Sequence, residues 1–203
     1  LLLAFAATDA LDIRAITTVA GNVSAAQTLT NALKIRTLAG RTEIPVHGGC
    51  AAPLIGTGRT ATEIHGDDGL GGLHLPVPEN GPVAAHAVDA LIEAIEESPG
   101  GIALCAVGPL SNLALAIAKR RDLVPAIGRI VLMGGAIGGG RDRVEQLGLA
   151  FHPLGVGGEH SARVVIYHRA DVGCQQRRIA EPDLRHRAAQ HLQGAIGDVV
   201  LQE

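Results

Sequence analysis

Tryptophan is absent from the 203 residues, and the remaining aromatics are Phe5, Phe151 and Tyr167. A chain this poor in rings offers no platform on which the bases of a single strand could stack. A surplus of positive charge is lacking too: the net charge of -3 leaves no basic surface that could bind a phosphate backbone by counterion release, so nucleic acid is not an expected partner. Cys50, Cys105 and Cys174 are odd in number, widely spaced and without CxxC spacing, which excludes a disulfide or zinc framework and suits reduced thiols in a cytoplasmic protein. No apolar run approaches the roughly 20 residues of a membrane span. The opening LLLAFAA lacks a basic leader region and soon meets Asp9 and Asp12, so it reads as the rear of a helix already under way. Phosphate-loop motifs are missing as well. There is no GxxxxGK[ST], and in the glycine run Gly134 to Gly140 the GxGxxG spacing fails, because the sixth position counted from Gly138 is Arg143. A nicotinamide-dependent oxidoreductase is thereby disfavoured.

What is present alternates. AITTVAGN, residues 15 to 22, is a β-branched apolar run that stops at Gly21 and Asn22, the form of a strand end facing a ligand crevice. The pattern predicts strands over Ile13 to Val19, Ile44 to Val46, Ile102 to Val107 and Ile130 to Met133. A helix over Ser24 to Leu38 is expected between the first two, with Ser24 as its cap and Gly40 just past its end. Pro82 reads as the opening of a second helix, whose Ala84, Ala87, Val88, Leu91, Ile92 and Ile95 share one face. Pro109 reads as the start of a third, with Leu110, Leu113, Ala114, Ile117 and Ala118 in its stripe. Short apolar strands without period-two alternation, separated by amphipathic helices, indicate an α/β fold: a doubly wound, mostly parallel sheet with helices on both faces. Residues 1–140 form the core of a single domain. Residues 141–203 read as a divergent continuation, rich in arginine, histidine and glycine, that is a lid, a disordered tail or a frame-disrupted stretch. Within it only Ser161 to Tyr167 and Glu181 to Leu192 retain an ordered pattern.

Two places could carry chemistry. The loop Gly48 to Gly81 is longer than a compact domain needs for a connection, which favours a functional loop. It contains HGDDGLGG, in which His65, Asp67 and Asp68 could supply a base, a substrate contact or a metal ligand, or could form an exposed turn. Asn22 could contact a ligand at the strand end or cap the following helix, in competition with Ser24.

AITTVAGN, TLTNALK, IPVHGG, HGDDGLGG, AVGPLSNLALA and RIVLMGGA stand in the order and approximate spacing of the inosine-uridine preferring nucleoside hydrolases, which residues 1–140 resemble. The resemblance implies hydrolysis of the N-glycosidic bond of purine or pyrimidine ribonucleosides to ribose and free base, in a homo-oligomer. It also implies a site with one Ca2+ ion held by aspartates, a main-chain carbonyl and the ribose diol. A hard cation of this kind orients the diol and acidifies water. On this resemblance Asn22 is a ribose contact, His65 lies at the substrate pocket, and Val107 offers its main-chain carbonyl to calcium. The sequence departs from the family where the chemistry is concentrated. The DxDxGxDD motif that carries the catalytic base and metal aspartates would precede Leu1, Arg141 replaces an asparagine, and the AEFN run is missing. The expectation is therefore an incomplete fold with one central strand left unpaired, weak calcium binding and no turnover. A nucleoside- or sugar-binding module without catalysis is the alternative.

Overall fold

The computed structural model describes residues 1–133, 163–167 and 198–202, the last two stretches as backbone. Six strands, β1 (Asp12–Thr17), β2 (Val46–His47), β3 (Ala103–Ala106), β4 (Arg129–Met133), β5 (Arg163–Tyr167) and β6 (Asp198–Gln202), form one sheet. Their order is β2-β1-β6-β3-β4-β5, and every neighbouring pair runs parallel. The helices are α1 (Leu2–Ala6), α2 (Ala25–Leu38), α3 (Thr62–His65), α4 (Ala87–Glu97) and α5 (Ser111–Lys119), with a 3-10 turn at Arg121–Ala126.

Apolar side chains leave both faces of the sheet, so both faces must be covered. Along β3, Leu104 and Ala106 pack with Leu91, Ile95, Leu113 and Ile117 of α4 and α5. Ala103 and Cys105, the alternate residues, turn to Phe5, Leu33 and Val46 beside α1 and α2. That alternation is why the strand reads as a continuous apolar run. Burial of a residue such as Leu91 or Ile130, each at most 2% exposed, contributes about 1.5–3 kcal/mol. Arg36 adds a polar tie: from the last turn of α2 it donates to the carbonyls of Ile44 and Asn80, both at 2.9 Å, pinning two loops to one helix.

Several boundaries differ from the sequence pattern for local reasons. The helix expected at Pro82 starts at Ala87, where the His86 imidazole accepts the Val88 N–H at 3.2 Å. Val83 is instead extended, bridges His47 in parallel and donates to the Val46 carbonyl at 2.9 Å. Ala84 is exposed, while Ala87, Val88, Leu91, Ile92 and Ile95 are buried as their spacing implies. Pro109 lies outside α5, which begins two residues later, and Ala118 is exposed. The short strand is Val46–His47 rather than Ile44 to Val46, because the Ile44 N–H is spent on a turn to the Arg41 carbonyl. Ser24 does cap α2, accepting from Gln27 at 3.3 Å, and Gly40 follows with φ of 65°. Tyr167 closes β5 within the stretch expected to be ordered, whereas Glu181 to Leu192 and the glycine run after Met133 lie outside the described residues.

The largest departure is at the centre of the sheet. No strand edge is left open between β1 and β3, because β6 fills the slot and pairs with both: Val199 stands opposite Ile13 and Ala103, and Gln202 opposite Thr17 and Ala106. The register of β1 shifts between Ile13 and Ala15 to accommodate it. A vacated slot would present two rows of unpaired backbone groups, the template for intermolecular pairing. Deletion of residues 198–203 is therefore expected to make the chain scatter light within hours at micromolar concentration, under conditions in which the parent chain does not. An equally soluble, equally stable deletion variant would show that β6 does not hold the sheet together.

Candidate active site

Parallel strands aim their carboxyl ends at one edge of the sheet, and the loops that follow β1 and β3 meet there. Between them lies a cleft of about 480 Å3 whose walls include Asn22, Thr28, Arg59, Leu70, Val107 and Met133. That volume falls in the range of small-ligand sites. A second hollow, about 360 Å3, is lined by Arg14, Ala15, Ile102, Glu93 and Glu97, against α4 and away from these strand ends.

The cleft floor is fastened by one buried amide. Asn112, in the first turn of α5 and fully buried, donates from Nδ2 to the Thr18 carbonyl at 2.8 Å. Its Oδ1 accepts the Cys50 N–H at 2.8 Å. Three segments distant in sequence are thereby joined: the end of β1, the Gly48 to Cys50 turn and the start of α5. The Ala20 N–H completes the arrangement by donating to the Cys50 carbonyl at 2.9 Å. Gly49 has to be glycine, since a Cβ there would collide with the Thr18 carbonyl and the Asn112 amide.

The HGDDGLGG loop is held from the other side. Asn31, on α2 and 6% exposed, donates to the Asp68 carbonyl at 2.7 Å and accepts from Gln27 at 2.9 Å. Gly69 follows at φ of 72°, with a Cβ position only 2.9 Å from Val23, so both conformation and space exclude a side chain. The Asp68 carboxylate accepts the N–H groups of Leu70 at 2.9 Å and Gly72 at 3.1 Å. These backbone donors hold its pKa below the usual carboxylate range. Asp68 therefore shapes the loop.

The three residues singled out in the sequence fall as follows. Asn22 lines the cleft, and no described residue hydrogen-bonds its side chain; its main-chain carbonyl accepts the Ala61 N–H at 2.8 Å, anchoring the entry to α3. Val107 also lines the cleft, one residue beyond β3, and its carbonyl accepts none of the loop or cap bonds among the described residues. His65 ends α3, beside the cleft rather than in its wall. The sequence reading assigned nothing to Asn31, Asn112, Thr28 or Arg59. A polar residue interrupting an apolar helical stripe, as Asn112 does between Leu110 and Leu113, is the signal that could have revealed the first two.

The donors that the described residues bring to the cleft do not suit a calcium ion. Among the described residues, no aspartate or glutamate lines the cleft and no group of three His, Cys, Asp or Glu side chains could hold a metal. One main-chain carbonyl and neutral amides cannot offset dehydration of a hard dication. The two described cysteines are not poised as nucleophiles, because burial raises the pKa of Cys50 and of Cys105 and disfavours their thiolates.

The family model for the inosine-uridine preferring nucleoside hydrolases matches residues 1–155. The chain belongs to this family. The match extends fifteen residues beyond Gly140, where the sequence changes character. Among curated proteins, the pyrimidine-specific ribonucleoside hydrolase RihA of Photobacterium profundum is 45% identical over 130 residues, covering 64% of this chain and 42% of that protein. An uncharacterized protein of Schizosaccharomyces pombe is 42% identical over 136 residues, covering 66% of this chain and 44% of its own length. The chain thus spans less than half the length of these relatives. Among solved structures, a plant nucleoside hydrolase superposes with a TM-score of 0.70 at 30% identity, over 82% of this chain and 54% of that one. A purine-preferring ribonucleoside hydrolase from Gardnerella vaginalis gives 0.62 at 30% identity, over 66% and 44%. The α/β fold is accordingly that of nucleoside hydrolases.

The depressed Asp68 pKa has a definite pH consequence. A carboxyl whose folded pKa lies below its unfolded value of about 3.9 stabilises the loop above that value and loses the effect as pH falls through the folded pKa. In an acid titration followed by NMR, the amides of Leu70 and Gly72 are expected to shift with a midpoint below about 3.9, and Asp68→Asn should abolish the transition. A midpoint at or above that value would contradict the loop geometry.

Proposed function

We propose that the cleft is the ribose side of a ribonucleoside site, and that the 203-residue chain binds such ligands without cleaving them. The observation that carries this reading is the meeting of Asn22 and Val107 at the carboxyl ends of β1 and β3, in a cleft of suitable size, within a nucleoside hydrolase fold. Asn22, whose amide has no partner among the described residues, is assigned to the ribose hydroxyls, and the Val107 carbonyl stands on the same side. His65, at the end of α3 on the loop anchored by Asn22, is assigned to the rim, facing the base. The reaction of the complete family site is hydrolysis of the N-glycosidic bond of purine or pyrimidine ribonucleosides, giving ribose and free base.

That chemistry needs a polarised water and stabilisation of a carbocation-like sugar, both of which carboxylates supply. The absence of any aspartate or glutamate from the described cleft wall is what supports binding without turnover. Calcium, the family expectation, is assigned no step here. A homo-oligomer in the cytoplasm is the accompanying proposal. On the structural side, no described helix is long and apolar enough to cross a membrane.

Calorimetric titration of the chain with ribose, inosine and uridine, with and without Ca2+, tests the reading. The expected result is binding of equal strength in both conditions, about tenfold weaker in Asn22→Ala for the loss of a hydrogen bond or two, and no release of ribose. Calcium-dependent binding, or measurable ribose release, would overturn it.

A further inference from the structure

The second hollow, about 360 Å3, shares none of its described lining residues with the cleft, and its volume too falls within the range of small-ligand sites. Glu93 and Glu97 line it from α4, and His47 lines it from β2. Glu97 is the last residue of α4 and Glu93 stands one turn before it, outside the apolar stripe. Like charges at this spacing repel, and both lie toward the carboxyl end, where the helix dipole already disfavours negative charge. No basic residue occupies the last turn to offset them. Glu96 is matched by Arg120, whereas Glu93 and Glu97 have neither ion pair nor hydrogen bond among the described residues. Arg14, also in the wall, is ion-paired with Asp12 at 3.9 Å. His47 adds an independent observation. The residue is only 7% exposed, and its Nδ1 stands 3.0 Å from the Ala85 carbonyl, which can only accept, so Nδ1 carries the hydrogen. In the neutral ring Nε2 is then an acceptor, and no described residue hydrogen-bonds to it.

Two carboxylates at the carboxyl end of a helix and a buried imidazole acceptor converge on one hollow, and the partner they call for is a cationic donor. We propose that this hollow binds a short aliphatic amine. Its ammonium sits among Glu93, Glu97 and His47 Nε2, its three donors equalling these three acceptor side chains in number. The alkyl chain lies along Ala15, Ala90 and Ile102, which give the hollow its apolar surface. A bare divalent metal is not the favoured occupant, because no group of His, Cys, Asp and Glu able to hold one occurs among the described residues. Both glutamates are exposed, so the contact is sensitive to salt. The inference is independent of the ribonucleoside reading of the cleft.

The experiment is titration of the 203-residue chain at pH 8 and low ionic strength with 1-butylamine, 1-butanol and magnesium chloride, followed by amide NMR. The expected result is saturable shifts at His47, Glu93 and Glu97 with the amine, and none with the alcohol or the metal. Glu93→Gln and Glu97→Gln should each weaken amine binding roughly fivefold, and the double variant should abolish saturation. A ligand role also makes a distinct stability prediction. Because each substitution relieves charge repulsion and an unfavourable dipole contact, both variants should melt at or above the temperature of the parent chain while losing affinity. No saturable shift with the amine would overturn the proposal, as would equal shifts with 1-butanol or stronger shifts with magnesium. Undiminished binding in the double variant, or glutamine variants that melt well below the parent, would overturn it too. The double variant should bind ribonucleosides as the parent chain does, so each of these failures leaves the reading of the cleft standing.

Discussion

The two hydrogen bonds of the Asn112 side chain are the constraint on which the ligand-facing end of this protein depends. An amide fully removed from water must have both its donor and its acceptor satisfied, and the chain satisfies them with groups 94 and 62 residues away. The same two bonds fix how far the end of β1 stands from the start of α5, and therefore the separation of Asn22 from Val107. The nearby glycines follow from it: Gly49 is glycine because the Thr18 carbonyl and the Asn112 amide already fill the space beside it. Replacing Asn112 by an apolar residue of similar size would leave a buried carbonyl and a buried N–H unpaired, at about 1–3 kcal/mol each.

Below that clamp the sheet supplies rigidity, and its centre is closed by the strand from the far end of the sequence. With β6 paired on both sides, β1 and β3 are interior strands, and their ends hold the cleft floor at a fixed spacing. The loop wall is built by different means. Asn31 and Arg36 on α2 reach out to carbonyls of the long loop, and Asp68 folds the HGDDGLGG segment on its own backbone. The contrast divides the site into a stiff floor and an arched loop wall. Arg59 belongs to the loop wall, and Asn22 and Val107 to the strand ends.

Much of the architecture was legible in local pattern. The stripe Ala87, Val88, Leu91, Ile92 and Ile95, the Ser24 cap and the apolar strand runs all depend on neighbours within a few residues, which a sequence displays directly. The start of α4 is hidden because Pro82 has the form of a first helical residue, while the backbone bond from Val83 to the Val46 carbonyl acts across 37 residues and the cap at His86 is an imidazole, an uncommon capping group. The five residues Asp198 to Gln202 resemble any other apolar run, and nothing local states that they belong between β1 and β3. The same limit applies at the site. Asn22 and Val107 were visible as strand ends, whereas Asn31 and Asn112 have roles defined by partners 37 to 94 residues distant. Asp68 gave the opposite lesson, since a carboxylate in a glycine-rich loop reads as chemistry and here satisfies two backbone N–H groups.

The central claim is that a buried side-chain clamp holds the crevice at the ends of β1 and β3 as part of the folded core. Amide hydrogen exchange at Cys50 and Ala20 tests it most directly, because one N–H is bonded to Asn112 and the other to the Cys50 carbonyl. The account predicts protection at both amides comparable to that of Leu104 within β3, so that they open only when the domain unfolds. Exchange at the rates of an open surface loop would contradict it.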